Sequence, residues 1–369
     1  MPKLSNNIGV IDLFCGIGGL SHGMYKKGFN ILAGYDIDDS CKYAFEFNNK
    51  SKFFSQNIIA LTGEHLKSIF NDMDIKILAG CAPCQPFSSY SNKVKNKDSS
   101  KYDLLYEFGR LIEESSPDII TMENVAQIVG FKQKPVLNDF IAKLESLNYF
   151  VNYKIVFCPD YGIPQTRKRL VLLASKFGEI NLIAPTHTSE NYITVRNVIG
   201  HLPPLNAGET CNNDGLHKAR RLSEINLRRI KHSTINGSWM DWPEELILKC
   251  HKKDSGRSYK SVYGRMDWDK PAPTMTTLCT GLGNGRFGHP DQDRAITPRE
   301  AALFQTFPTS YKFFSPETQV SVTKASRYIG NAVPPVLGEV TAESIIKHLR
   351  NHGKIYNEVN SKRAKSLRA

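Results

Sequence analysis

The sequence predicts an α/β chain in which a doubly wound, largely parallel sheet is joined to a second, smaller and irregular domain. Three observations carry this. From Ile8 to Ala174 short apolar runs alternate with stretches of helical spacing, the rhythm of strands wrapped by helices. Two of those runs end in residues suited to the crevice at the carboxyl ends of a sheet: a glycine turn, Cys15-Gly16-Ile17-Gly18-Gly19-Leu20, and a thiol between prolines, Pro83-Cys84-Gln85-Pro86. After about Phe177 the rhythm is lost, and residues 185–295 are rich in Pro, Gly, His and Asn and hold Trp239, Trp242 and Trp268.

Composition narrows the partners. A chain of 369 residues is long enough for two domains. Lys and Arg number 48 against 36 Asp and Glu, a net charge of +12, which favours a polyanion. The eight Cys follow no regular spacing, and neither a signal peptide nor a membrane-length apolar run is evident. The expectation is a protein of the reducing cytoplasm with free thiols and no membrane partner.

Ile8 to Phe14 reads as a buried parallel strand. The glycines that follow permit a tight turn and let backbone N–H groups approach a ligand at the start of the helix Leu20 to Lys27. Asn30 to Tyr35 is a second strand ending at Asp36, about twenty residues past the glycines, where a carboxylate can bond ribose hydroxyls. Cys41 to Asn48 is the next helix, and Phe53 to Ile58 a third strand or its exit, with Asn57 placed to meet the edge of an adenine. Ile75 to Ala79 is the fourth strand and delivers Cys84, held by a proline on either side. A redox or zinc pair of Cys81 with Cys84 is the bland alternative, but no second Cys or His pair stands within the next forty residues or so.

Ser89 to Lys101, with Lys93, Lys95, Lys97 and Lys101, has no period and reads as a loop, either a solvated surface segment or, the favoured reading beside a candidate nucleophile, a lid that closes on phosphates. Tyr102 to Ser115 is a helix, and Pro117 to Met122 a strand ending at Glu123, which shares the Cys84 crevice if the sheet is parallel, although a lone Glu there could equally cap a helix. A helix at Val136 to Leu147, a strand at Tyr149 to Phe157, a turn through Gln165-Thr166-Arg167-Lys168-Arg169 and a strand at Leu170 to Ala174 complete this half. Beyond it, basic clusters at Lys218 to Arg221 and Arg228 to His232 point to nucleic acid, the histidines are too scattered for a metal site, and the tryptophans are either core or stacking residues. Thr297-Pro298-Arg299-Glu300 starts a helix with a capping box. Gly330 to Pro335 is a turn opening a last helix, Val336 to Leu349, whose apolar face is free to pack on the first domain.

Taken together these stretches resemble the DNA cytosine carbon-5 methyltransferases. The match lies in Asp12-Leu13-Phe14-Cys15-Gly16-Ile17-Gly18-Gly19, Pro83-Cys84-Gln85-Pro86-Phe87-Ser88, Glu123-Asn124-Val125, Gln165-Thr166-Arg167-Lys168-Arg169, Arg299-Glu300-Ala301-Ala302 through Gln305-Thr306-Phe307-Pro308, and Gly330-Asn331-Ala332-Val333-Pro334, in the family's order. The resemblance implies a Rossmann-like, S-adenosyl-L-methionine-dependent methyltransferase sheet. Its catalytic domain would be discontinuous, residues 1–184 plus 326–350, with a target-recognition domain and hinge at 185–325 and a basic tail at 351–369. It implies methyl transfer to carbon-5 of a cytosine flipped out of a short duplex DNA sequence, through a covalent Cys84 adduct at carbon-6. Glu123 would serve N3 of the base, and Arg167 and Arg169 would grip its O2 and steady the carboxylate. Phe14, Gly16, Gly18, Gly19, Asp36, Ile37, Asn57, Ile58, Asn331 and Val333 would hold the S-adenosyl-L-methionine. At Asn57 the family usually has Asp. No metal is implied. A bacterial restriction-modification enzyme is expected, acting as a monomer on double-stranded DNA in the cytoplasm, with a cognate restriction endonuclease as a functional but not necessarily physical partner.

Three rivals differ in chemistry or substrate. Some eukaryotic proteins with these motifs methylate transfer RNA, but the long basic region between Arg169 and Thr297 favours duplex DNA. A catalytically silent DNA-binding regulator would not need Cys84, Glu123 and Arg169 intact. A dinucleotide oxidoreductase fits the first glycine turn yet gives the thiol between prolines no task.

Overall fold

The computed structural model describes residues 7–83, 100–130 and 135–355, the side chains of 100–103 and 255 excepted. Cys84, the lysine loop from Ser89 up to residue 99 and most of the basic tail lie outside the described residues. The chain divides into two units: residues 1–157, 168–185 and 333–369 form the first, and residues 158–167 and 186–332 the second. The expected boundaries differ at two places. The turn 158–167 groups with the second unit, and the chain returns to the first at Val333 rather than at 326.

In the first unit the elements run β1 (Ile8–Leu13), α1 (Gly19–Lys26), β2 (Asn30–Asp36), α2 (Lys42–Asn49), β3 (Lys52–Ser55), α3 (Gly63–Phe70), β4 (Ile75–Gly80), α4 (Ser100–Ser115), β5 (Ile119–Val125), α5 (Val136–Ser146), β6 (Phe150–Phe157) and β7 (Lys168–Ser175). Seven strands make one sheet in the order β3-β2-β1-β4-β5-β7-β6. The order reverses between β1 and β4, the point at which open α/β sheets part to admit a ligand. All six residues of β1 are buried, because a central parallel strand is covered on both faces. Helix α3, whose Thr62 cap accepts the His65 N–H at 3.3 Å, is an element that the sequence reading passed over.

Strands β1 to β5 pair in parallel, but β7 runs antiparallel to both β5 and β6. The sequence gives the reason. A parallel crossover takes a dozen or more residues, usually with a helix, and the link from Phe157 to Lys168 holds only a short 3-10 turn, Cys158–Tyr161. An antiparallel β7 starts where β5 ends, so its first residues reach the carboxyl edge of the parallel strands.

The second unit contains α6 (Val195–Ile199), a two-stranded ribbon of β8 (Thr210–Cys211) and β9 (Asp214–Lys218), α7 (Glu224–His232), α8 (Asp254–Arg257), α9 (Pro298–Phe304) and α10 (Val322–Asn331). Trp239 and Trp242 are core: they are buried with Leu246 and Val262, and their ring N–H groups donate to Tyr259 O and Ser233 Oγ, each at 2.9 Å. Gln165 ties the turn 158–167 into this unit by donating to Phe304 O and Gln305 Oε1 and accepting from Met275 N. Gln305 in turn donates to Ile329 O and Ala332 O, which is why α10 belongs here rather than with the first unit. The capping box at α9 is present, with Thr297 Oγ1 accepting from Glu300 N and Glu300 Oε2 from Thr297 N.

The last helix, α11 (Pro335–Asn351), lies in the first unit against α1. Two glycines permit the crossing: a Cβ on Gly23 would meet Pro335 O at 2.1 Å, and one on Gly338 would meet Leu20 O at 2.5 Å. Lys26 and Lys27 pair with Glu339 and Glu343 along its rim.

Candidate active site

The carboxyl ends of β1, β2, β4 and β5 carry the polar residues of the first unit. At the end of β1 the backbone turns through positive φ at Phe14 (59°), Gly16 (50°) and Gly18 (85°). Phe14 takes a strained conformation that a bulky residue adopts only where the surroundings impose it. Gly16 N donates to Asp36 Oδ2 at 2.8 Å, and Asp38 N to Asp36 Oδ1 at 2.9 Å. Burial pushes the Asp36 carboxyl up from its ordinary value, against the pull of those N–H groups. A Cβ on Gly16 would find nothing nearer than Asp36 Oδ2 at 4.0 Å, so the glycine leaves open space beside that carboxylate.

Next to this turn Asp12 is buried, with Oδ2 accepting from Ser21 Oγ at 2.5 Å and Oδ1 lacking a hydrogen-bond donor. Burial first, and then the charge of Asp36, push its carboxyl up to about 7, while the Ser21 hydrogen bond opposes them. Ile37 and Ile59 are large apolar residues left 74% and 55% exposed. Asn57 is exposed, and its Oδ1 accepts from Ile59 N at 3.1 Å, capping the 3-10 turn Ile58–Ala60. These features fit a nucleoside bearing a cationic tail: a ribose acceptor at Asp36, apolar side chains for a base to cover, a glycine cradle and an orphaned buried carboxylate oxygen. Gly18, Gly19 and Ile58 are buried within the same turns. Val333 is buried in the first unit, and Asn331 is exposed at the end of α10 in the second.

The second group of residues gathers at Glu123, which is 4% exposed. Strands β4 and β5 are paired in parallel up to Gly80 opposite Met122, so the next residues, Cys81 and Glu123, fall side by side. Cys81 Sγ lies 3.0 Å from Glu123 Oε2. Strands β5 and β7 pair Glu123 with Val171 and Val125 with Arg169, which puts Arg169 two residues from Glu123's opposite number and on the same face. Its Nε is 2.8 Å from Glu123 Oε1. The approach is an ion pair without hydrogen-bond alignment, for Oε1 has no donor directed at it. One carboxylate oxygen is therefore held by a weak thiol donor, and the other is charge-paired but open to a better-aligned partner.

Arg167 and Arg169 were expected to act as a pair on the base, and the structure separates them. Arg169 reaches Glu123, whereas Arg167 is buried in the second unit and donates to Met275 O at 3.0 Å and Ala332 O at 3.4 Å. Residues two apart on a strand would share a face, but β7 begins only at Lys168, so Arg167 precedes the strand and its side chain is not set by that alternation. The expected nucleophile, Cys84, lies outside the described residues; Pro83 precedes it directly. Two members of the site were not singled out by sequence as its residues. Asp12 stands in the first strand and opens the first matching motif, but no role of its own is assigned to it from the sequence. Cys81 was weighed only as half of a metal or redox pair.

Residues 8–347 match the family described as C-5 cytosine-specific DNA methylase. The chain belongs to that family. The methylase is 57% identical over 340 residues to the Type II methylase M.HgiDII of Herpetosiphon aurantiacus, covering 92% of this chain and 95% of that one. It is 32% identical to the Type II methyltransferase M1.HphI of Haemophilus parahaemolyticus, over 91% of this chain and 86% of the relative. Among solved structures, a putative DNA modification methyltransferase encoded within an E. coli prophage superposes with a TM-score of 0.71 at 24% identity, over 93% of this chain and 99% of the other. That likeness establishes a shared fold. The methylase is thus an enzyme of the DNA (cytosine-5-)-methyltransferase class with a mixed α/β, Rossmann-like sheet, and a methyl donor belongs to its reaction. Among the described residues no helix is long and apolar enough to cross a membrane.

Proposed function

We propose that this methylase transfers a methyl group from S-adenosyl-L-methionine to carbon-5 of a cytosine flipped out of one short duplex DNA sequence. The observation that carries the reading is the Glu123 carboxylate, buried at the end of β5, flanked by Arg169 and Cys81, with an oxygen open to an aligned partner. Carbon-5 of cytosine is a poor nucleophile. A thiolate that adds to carbon-6 turns the ring into an enamine, provided N3 takes a proton as the electrons move. Cys84, directly after Pro83 in sequence, supplies the thiolate, and Glu123 holds the proton at Oε1, where N3 of the flipped base would lie. Arg169 steadies that carboxylate and meets the base at O2; Arg167 braces the polypeptide of its own unit.

When bound, S-adenosyl-L-methionine supplies an electrophilic methyl group. Asp36 and the Gly16 to Gly19 turn would hold its ribose and methionine portions, and Phe14, Ile37, Asn57 and Ile58 would surround the adenine, with Val333 of the same unit adding to the pocket. After carbon-5 is methylated, its proton leaves to a base, the carbon-6 to sulfur bond breaks, and N3 returns its proton to Glu123. Flipping the cytosine costs a few kcal/mol, which phosphate contacts from the basic second unit offset. The expected setting is bacterial restriction-modification in the cytoplasm, with the methylase acting as a monomer and a cognate endonuclease as its functional partner. The names of the 57% and 32% identical relatives support that setting.

The test is bisulfite sequencing of DNA from a methylation-free bacterial host expressing the chain, beside a Cys84→Ala control. Protected cytosines in a single short context, absent from the control, are expected. Well-expressed protein that leaves every cytosine unprotected would sink the reading and turn attention to transfer RNA.

A further inference from the structure

We infer that Cys81 is a positioning residue for the reaction: its thiol holds Glu123 Oε2 so that Oε1 faces the base. The inference rests on the proposed role of Glu123. Three features of the geometry support it. Cys81 is the residue after β4, and its N–H donates to Leu13 O at 3.2 Å, which fixes its backbone against β1. The β4–β5 register sets its side chain beside Glu123, with Sγ 3.0 Å from Oε2. Asn124, the other polar residue at this edge, turns elsewhere: its Nδ2 donates to Ala82 O and its Oδ1 accepts from Val125 N. The ionisable groups facing the carboxylate among the described residues are accordingly Cys81 from the end of β4 and Arg169 from β7.

The chemistry explains why a thiol suits this place better than a hydroxyl. A general acid must be oriented, yet it must also keep a proton available. A strong donor on Oε2 stabilises the carboxylate and makes that proton easier to lose, whereas an S–H group is a weak donor that orients with little such bias. The thiol keeps its own proton throughout and forms no bond to substrate. The thiol's place three residues before Cys84 therefore needs no metal or disulfide to account for it.

The measurement is the single-turnover rate of methyl transfer to a duplex oligonucleotide carrying the methylated sequence, followed from about pH 6 to 10 for the wild type, Cys81→Ser, Cys81→Ala and Glu123→Gln. Cys81→Ser, close in shape to the wild type, should move the alkaline limb to lower pH by roughly half a unit or more, as a better donor to the carboxylate. Cys81→Ala should move the limb the other way and lower the plateau roughly tenfold through lost orientation, with the KM for DNA unchanged. A limb that stays put in both variants, whatever happens to the plateau, would overturn the inference, because a purely structural cysteine alters stability and amplitude without touching the titration. Glu123→Gln separates the two levels: a near wild-type rate there would sink the role of Glu123 itself, while a large loss there with unmoved limbs in the Cys81 variants would sink only the role of Cys81.

Discussion

Two buried glutamates, one in each unit, are paired with arginine and yet are built for opposite ends. Glu300 receives both guanidinium nitrogens of Arg294, at 2.8 and 2.7 Å, and also the Thr297 N–H at 2.6 Å. Burial pushes its carboxyl up, but the Arg294 hydrogen bonds and charge outweigh that and hold it below its ordinary value. Glu123 has a single unaligned guanidinium nitrogen on one oxygen and a thiol on the other. A buried charge that is fully hydrogen-bonded is a brace and has nothing left to offer a ligand. One left with an open oxygen carries a cost in the free protein that a substrate can relieve.

The largest effect should therefore come from the brace. Glu300→Ala strands Arg294, which is wholly buried, and should cost about 3–5 kcal/mol of stability, read by denaturant unfolding. Glu123→Gln should instead cost less, about 1–3 kcal/mol, since one unaligned guanidinium nitrogen and a thiol lose a charged partner while the shape is kept, and it should slow methyl transfer by at least about a hundredfold. If the second variant unfolded as readily as the first, the distinction between brace and reactive group would be lost.

Asp12 lies between these cases. Its folded carboxyl titrates at about 7, against about 3.9 in an unfolded chain. The fold thus holds a proton that the unfolded chain gives up from about pH 4 upward, and the stability this lends is complete below about pH 4 and lost as pH rises through about 7. Asp12→Asn removes the dependence. Relative to wild type it should gain stability as pH goes from 5 to 7 and then level off, ahead by about 2 kcal/mol once local relaxation is allowed. Parallel pH series of thermal unfolding test this, and a gap independent of pH would mean that Asp12 is charged throughout.

How far the sequence foretold this site depends on which contacts are local. The β1 turn, the Asp36 carboxylate and the α9 capping box are short-range arrangements of strand, glycine and cap, and they lie where their spacing puts them. The direction of β7 could have been inferred from the ten residues between Phe157 and Lys168, too few for a crossover, but strand and helix alternation alone suggested a parallel sheet. The parting of Arg167 from Arg169 was not legible. Two residues apart on a strand share a face, and only the return of the chain from another unit at Lys168 sends one guanidinium to Glu123 and the other to Met275 and Ala332. Cys81 was legible as a residue but not as a partner, since its meeting with Glu123 depends on the β4–β5 register, a long-range fact.

The smallest expected effect concerns Asn57, where this chain has an amide and the family usually has a carboxylate. Its Oδ1 already accepts the Ile59 N–H, so the remaining lone pair is what it can offer the amino group of an adenine, and its own NH2 offers only a further donor. Asn57→Asp keeps the cap, favoured by the partial positive charge of a turn's first N–H groups, and adds a second acceptor for the base. Affinity for S-adenosyl-L-methionine, measured by calorimetry on the DNA-free protein, should rise about two- to fivefold, or roughly 0.4–1 kcal/mol. An unchanged affinity would place Asn57 with Glu300 rather than with Glu123, as a residue whose polar atoms serve the fold and leave the base to its neighbours Ile37 and Ile58.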